Sequence, residues 1–218
     1  MHKKEPRPDG EHPDPEEVFD QFLARFSEAG DVAERSKVEE SIWDHFGTHG
    51  AVFISDMSGF SRTTRALGIC HFLACIRRVR PVVARGVGDN SGILLKCETD
   101  NCYAFFPQVD QAITAAITIN KELERLNQSL DGPDKAHVSI GIDYGKVLLI
   151  GEVEYFGDPV NTASKLGEDL AARSEILVTQ RAMERATLNL DMEPDKRRER
   201  ISGIDIDFVC LDMAVRAR

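Results

Sequence analysis

The chain has 218 residues, 42% of them hydrophobic and 29% charged, enough to bury one generous core and too few for several domains. Its 37 acidic side chains outnumber the 27 basic ones, and the formal net charge of -10 argues against nucleic acid or an anionic membrane as the main partner. No apolar run is long enough to cross a bilayer, and the charged, proline-rich opening does not read as a secretory leader, so a cytoplasmic protein is expected.

The five cysteines, Cys70, Cys75, Cys97, Cys102 and Cys210, show no C-x-x-C spacing. They read as small core or half-buried residues in a reducing compartment.

Residues 1–15 hold little to bury and are expected to form a flexible tail. A helical extension over 16–49 follows, with Val18, Phe19, Phe22, Leu23 and Phe26, then Val38, Ile42, Trp43 and Phe46, at helical spacing on either side of Gly30. Two amphipathic helices are predicted, packed on the same chain or on a second copy. Gly47 to Gly50 break the helix and admit an apolar strand that ends at Asp56. After it, Met57, Ser58, Gly59, Phe60 and Ser61 turn the backbone into a helix start, where outward-facing N–H groups favour an anion. Asp56 taken alone reads as a cap. Beside a phosphate cradle it reads as a metal ligand, because carboxylate and phosphate repel unless a cation bridges them.

Helical periodicity resumes over 61–84. Strands are predicted at 92–97 and 101–106 around the turn Glu98, Thr99, Asp100, then a helix from Pro107 closing at 131–134. Residues 137–143 and 146–150 read as a strand pair around Tyr144 and Gly145. A helix over 157–166, a strand at 176–179, a short helix at 180–186, a charged turn at 197–200 and a last strand at 204–211 complete the chain. Strand, helix, strand, strand, helix, strand is the order of a ferredoxin-like α+β sheet with helices on one face. In such a sheet the ends carrying Asp56 and Asp100 are neighbours, and two carboxylates with phosphate oxygens and water suit Mg²⁺ or Mn²⁺.

Four pieces in this order resemble the catalytic domain of class III nucleotide cyclases, the adenylate and guanylate cyclases. They are the run from Phe53 to Ser61; Gly92, Lys96 and Asp100 leading into Ala104 and Phe106; Gly141 and Gly145 before a strand ending at Gly151; and Gly157 with Val160, Asn161, Ala163, Ser164, Lys165 and Leu166. The resemblance covers roughly 50–208, within an expected catalytic domain over 50–218, and implies conversion of a nucleoside triphosphate to a cyclic nucleotide and pyrophosphate, with ATP favoured and GTP or a pyrimidine nucleotide as the alternative substrate. It implies two metal ions on Asp56 and Asp100, and a phosphate cradle from the amides of Met57 to Ser61. It also implies a homodimer in which the second chain brings Lys96 and Glu154 to the base, Asn161 to the ribose and Lys165 to the α-phosphate. A separate regulatory partner is compatible with it.

The chain departs from the family pattern at several points. Thr99 stands where glycine usually permits positive φ, and Glu98 adds a carboxylate beside Asp100. Lys165 replaces an arginine and its planar fork. Ile204 falls where a lysine for the terminal phosphates is expected, leaving Arg198 or Arg200 to reach in. A degenerate domain that binds nucleotide or a partner without turnover is the alternative reading.

Overall fold

The computed structural model describes residues 13–190, 194–201 and 203–212; the expected tail lies outside them except for Pro13, Asp14 and Pro15. The strands are β1 (Gly47–Met57), β2 (Ile93–Glu98), β3 (Asn101–Phe106), β4 (Val138–Ile150), β5 (Glu154–Phe156), β6 (Glu175–Thr179), β7 (Asp195–Ile201) and β8 (Ile204–Asp212). They form one sheet in the order β2-β3-β1-β4-β6-β8-β7, with β5 added along the end of β4. All described pairings are antiparallel except β4 with β6. Central β1 is covered on both faces, which is why Ala51, Val52, Phe53 and Ile54 form an unbroken apolar run, all fully buried.

The helices are α1 (Pro15–Glu28), α2 (Val32–Phe46), α3 (Phe60–Leu67), α4 (Ile69–Asp89), α5 (Val109–Asn127), α6 (Asp158–Ser164) and α7 (Gln180–Met183). On one face of β1, Phe53 joins Phe72, Val79 and Val83 of α4 and Ile113, Ala116 and Ile119 of α5 in the main core. With β2, β3, β1 and β4 these two helices make the ferredoxin-like unit that the element order predicts. On the other face Val52 and Ile54 pack with Val147, Tyr155 and Ala163 of α6.

The extension folds back on its own chain. Asp14 and Asp31 cap α1 and α2, accepting from the N–H groups of Glu16 and Glu34 at 3.1 and 2.8 Å. Phe19, Phe22 and Phe26 then meet Val38, Ile42, Phe46 and Ile150. Phe19 stacks on Phe156 of β5 at 5.8 Å, and Lys146 of β4 lies 4.3 Å from the Trp43 ring.

Several expectations are corrected. The helix over 61–84 is two helices, broken at Gly68 with φ +85°. The strand pair around Tyr144 and Gly145 is the single strand β4, and it stays in register with β1 throughout, Gly145 lying opposite Gly50. Gly145 marks a close approach rather than a turn: a Cβ there would lie 2.7 Å from Cγ of Pro159. The charged turn at 197–200 is strand β7 at the sheet edge, where Arg198 and Arg200 pair with Asp207 and Asp205 across β8 at 3.0 and 3.8 Å. Charged edge strands of this kind resist pairing with other chains.

Candidate active site

Register brings the two predicted aspartates together. Ser55 of β1 pairs with Cys102 of β3, so Asp56, one residue on, faces the hairpin tip that carries Asp100. Burial, then the negative charges of Asp100 and Glu168, push the Asp56 carboxyl up to about 7. Asp56 does not cap a helix: the N-cap of α3 is Gly59, at φ +96° and without a side-chain cap bond. Of the expected phosphate cradle, Ser58 already donates its N–H to the carbonyl of His137 at 3.1 Å. Met57 ends β1 opposite Val138, and Gly59, Phe60 and Ser61 form the start of α3.

Glu168 is the acidic neighbour that sequence reasoning missed. Beyond α6 the chain widens into a π turn over Lys165–Leu170, and this extra looseness carries Glu168 round to the aspartates. The turn lies directly on the sheet because two glycines meet there: a Cβ at Gly167 would sit 2.9 Å from the Gly141 nitrogen and 3.0 Å from the Ile54 carbonyl oxygen. Burial first, then Asp169 and Asp100, raise the Glu168 carboxyl as well. Asp56 and Glu168, each raised in part by the charge of Asp100, mark a place where positive charge is missing, and an all-oxygen donor set suits Mg²⁺ or Mn²⁺. Among the described residues no group of three His, Cys, Asp or Glu side chains is close enough to enclose a cation.

The hairpin tip keeps the conformation that its sequence disfavours. Thr99 adopts φ +47°, and Arg80 of α4 fixes it by donating to the carbonyls of Thr99 and Cys97 at 2.7 and 3.2 Å. Glu98 turns away to Lys96, 3.3 Å off, rather than adding to the aspartates. Contrary to the expectation of unpaired thiols, Cys97 and Cys102 form a disulfide. The hairpin register sets them directly opposite each other, with Cα atoms 4.1 Å apart.

Lys96 and Glu154, predicted to act together, do meet. Lys96 Nζ donates to Glu154 Oε1 at 2.8 Å, which with Glu98 holds the ammonium above its usual range. Asn161 lies inside α6, whose N-cap is Gly157, so it is not a cap. With Lys165, Asp169 and Ile204 it lines a groove of about 300 Å³ between α6 and β8. Neither Asp56 nor Asp100 lines that groove, and Arg198 and Arg200 are held by Asp207 and Asp205 instead of reaching into it.

No family model and no curated protein matches the sequence, but solved structures do match the fold. An adenylate/guanylate cyclase/hydrolase from Silicibacter pomeroyi superposes with a TM-score of 0.63 at 20% identity, over 75% of this chain and 96% of that one. The guanylyl cyclase Cya2 gives 0.66 at 17% identity, over 75% and 91%. The adenylyl cyclase CyaB from P. aeruginosa gives 0.64 at 18%, over 76% and 96%. The chain has the class III nucleotide cyclase fold.

One further cluster holds the cyclase fold's α6 in place. Asp143 of β4 is fully buried. It accepts from Thr179 Oγ1 at 2.5 Å, from the Tyr144 N–H at 2.7 Å, and from Arg181 through both Nε, at 2.7 Å, and Nη2. Arg181 also donates to Asp158, the first residue of α6, at 2.8 Å. The strand-pair reading of 137–150 hid this clamp, since it put Asp143 at the edge of a turn instead of inside a continuous strand.

Proposed function

We propose that the protein is a nucleotide cyclase, converting a nucleoside triphosphate, ATP in preference, to its 3′,5′-cyclic nucleotide and pyrophosphate at a homodimer interface. The observation that carries this reading is the convergence of Asp56 and Asp100 with the Asp56 carboxyl raised to about 7. Two Mg²⁺ or Mn²⁺ ions, if bound there, would supply activation of the 3′-hydroxyl and charge stabilisation as pyrophosphate departs. Asp56 and Asp100 would hold them, and the start of α3 would receive the β- and γ-phosphates on backbone amides.

The other half of the reaction falls to groups that face elsewhere on the same chain. Asn161 and Lys165 line the α6 groove, and Lys96 with Glu154 presents a donor beside an acceptor. Brought by a second copy across a two-fold axis, Lys96 would donate to the adenine ring and Glu154 accept from its exocyclic amine. Asn161 would orient the ribose, and Lys165 would meet the charge growing on the α-phosphate. A two-fold dimer then carries two equivalent sites, and a lone chain carries none.

One specific feature favours the alternative of a binding module without turnover. Ile204, 55% exposed in the α6 groove, offers no charge to a terminal phosphate. Incubating the purified protein with Mn²⁺ and each of the four nucleoside triphosphates separates the readings. Cyclic product with pyrophosphate, lost in Asp56→Ala and Asp100→Ala, is expected; nucleotide binding without product establishes the module.

A further inference from the structure

The disulfide lies where it can act on the proposed metal site. Cys97 lies one residue before the end of β2, the edge strand of the sheet, partly buried against the main core, and Cys102 opposes it on β3. The crosslink closes a short loop, Glu98 to Asn101, and that loop contains Asp100. Inside it Thr99 is held at φ +47°, a conformation that a β-branched residue leaves when its surroundings permit. The neighbouring support is Arg80, whose guanidinium reaches the carbonyls on both sides of Glu98. The two residues differ in exposure: Cys97 is partly buried, Cys102 only 2% exposed. The remaining cysteines, Cys70 and Cys75 on α4 and Cys210 on β8, take no part in the disulfide.

We propose that Cys97–Cys102 is a redox site, open to a dithiol reductant, whose oxidised form sets Asp100 against Asp56 and whose reduced form releases it. A thiolate of the reductant attacks Cys97 Sγ, the sulfur of the more exposed residue of the pair. The S–S bond breaks, its electron pair leaves on Cys102 Sγ, and that sulfur takes up a proton. The second thiolate of the reductant then displaces Cys97, which leaves as a thiol, and the reductant departs as a disulfide. Two electrons and two protons pass to the protein, and a disulfide oxidant reverses the exchange. With the covalent link gone the sulfurs move apart to van der Waals contact, the tip widens, and Thr99 relaxes from its left-handed conformation. Asp100 then no longer faces Asp56.

The inference rests on the proposed cation site but not on turnover, and Mn²⁺ alone is the probe. Thiols are counted in the native full-length protein before and after treatment with a dithiol, and Mn²⁺ binding is measured by titration calorimetry in both states and in C97S/C102S. Three reactive or denaturant-exposed thiols rising to five, with a cooperative fold retained, and Mn²⁺ binding weakened about tenfold or more by reduction are expected. The double variant should match the reduced protein and ignore the dithiol. Five thiols before any treatment, reduction only on unfolding, or equal Mn²⁺ affinity in both states overturns the proposal. Absence of Mn²⁺ binding in both states removes the metal reading and this inference together. Redox-dependent binding without cyclic product removes the cyclase reading alone.

Discussion

Replacing Asp56 by Asn should stabilise the metal-free protein above neutral pH. The Asp56 carboxyl stands at about 7 in the fold against an ordinary value of 3.8. The folded state therefore binds the proton more tightly than the unfolded chain, and stability falls as pH rises between these two values. The penalty is absent below the lower value and complete above the upper one. A shift of about three units corresponds to about 4 kcal/mol in a dry interior; Asp56 is only half-buried, so solvent screening reduces it to about 2 kcal/mol. Asn keeps the shape and removes the charge, so Asp56→Asn should raise Tm by about 4 to 8 °C at pH 8 in chelator for a chain of this size. At pH 4 the two proteins should melt together. Saturating Mn²⁺ should close the gap at pH 8 by stabilising the wild type alone, since a cation that binds only the folded state adds stability by mass action. A variant that melts with or below the wild type at pH 8 in chelator, or keeps its advantage at pH 4, refutes the electrostatic argument.

Arg181→Ala should cost about 3 to 5 kcal/mol in urea unfolding, because it leaves the fully buried Asp143 charge without its main partner. Gly141→Ala should cost about 2 kcal/mol or more, since a new Cβ would press into backbone at Ala163 and Gly167, and hydrogen exchange should show α6 loosened. Thr99→Gly should add about 1 kcal/mol by relieving φ +47°, measured by the same unfolding titration. Phe46→Ala should melt α1 and α2 away from β4, because Phe46 is their shared contact with Phe19, Phe22 and Ile150, and exchange protection should fall in those helices while β1 keeps its own.

Signals that are local to a few residues were legible in the sequence. The apolar run into Asp56, the hairpin around Asp100 and the proline-started helix bearing Asn161 each follow from turn chemistry and periodicity, and their order yields the ferredoxin-like sheet. Glycine was the ambiguous sign. Gly145 reads as a turn in one dimension, whereas in the folded sheet it admits Pro159, and Gly141 with Gly167 lets the π turn rest on β4. The same limit hid Glu168. It lies in the π turn beyond α6, and its closeness to Asp56 is a tertiary contact that no local spacing displays. β7 was read as a turn because six of its seven residues are charged; its pairing rests on cross-strand partners in β8 that no local pattern displays.

The division of the site between two grooves has a physical consequence for the proposed reaction. Asp56, Asp100 and Glu168 gather negative charge at one end of β1, whereas Lys165 and Asn161 line a separate groove beyond α6. A triphosphate approaching the acidic end of a single chain would meet repulsion that a bound cation would have to reverse. In the proposed homodimer, association would set the lysine-bearing groove of one copy against the carboxylates of the other without moving either within its own fold. In that geometry the clamp of Asp143 and Arg181 on Asp158 matters for a site it never touches. It fixes the helix that one protomer would present to its partner in the proposed dimer, so loosening it should lower turnover in mixed dimers only at the site that receives the altered helix.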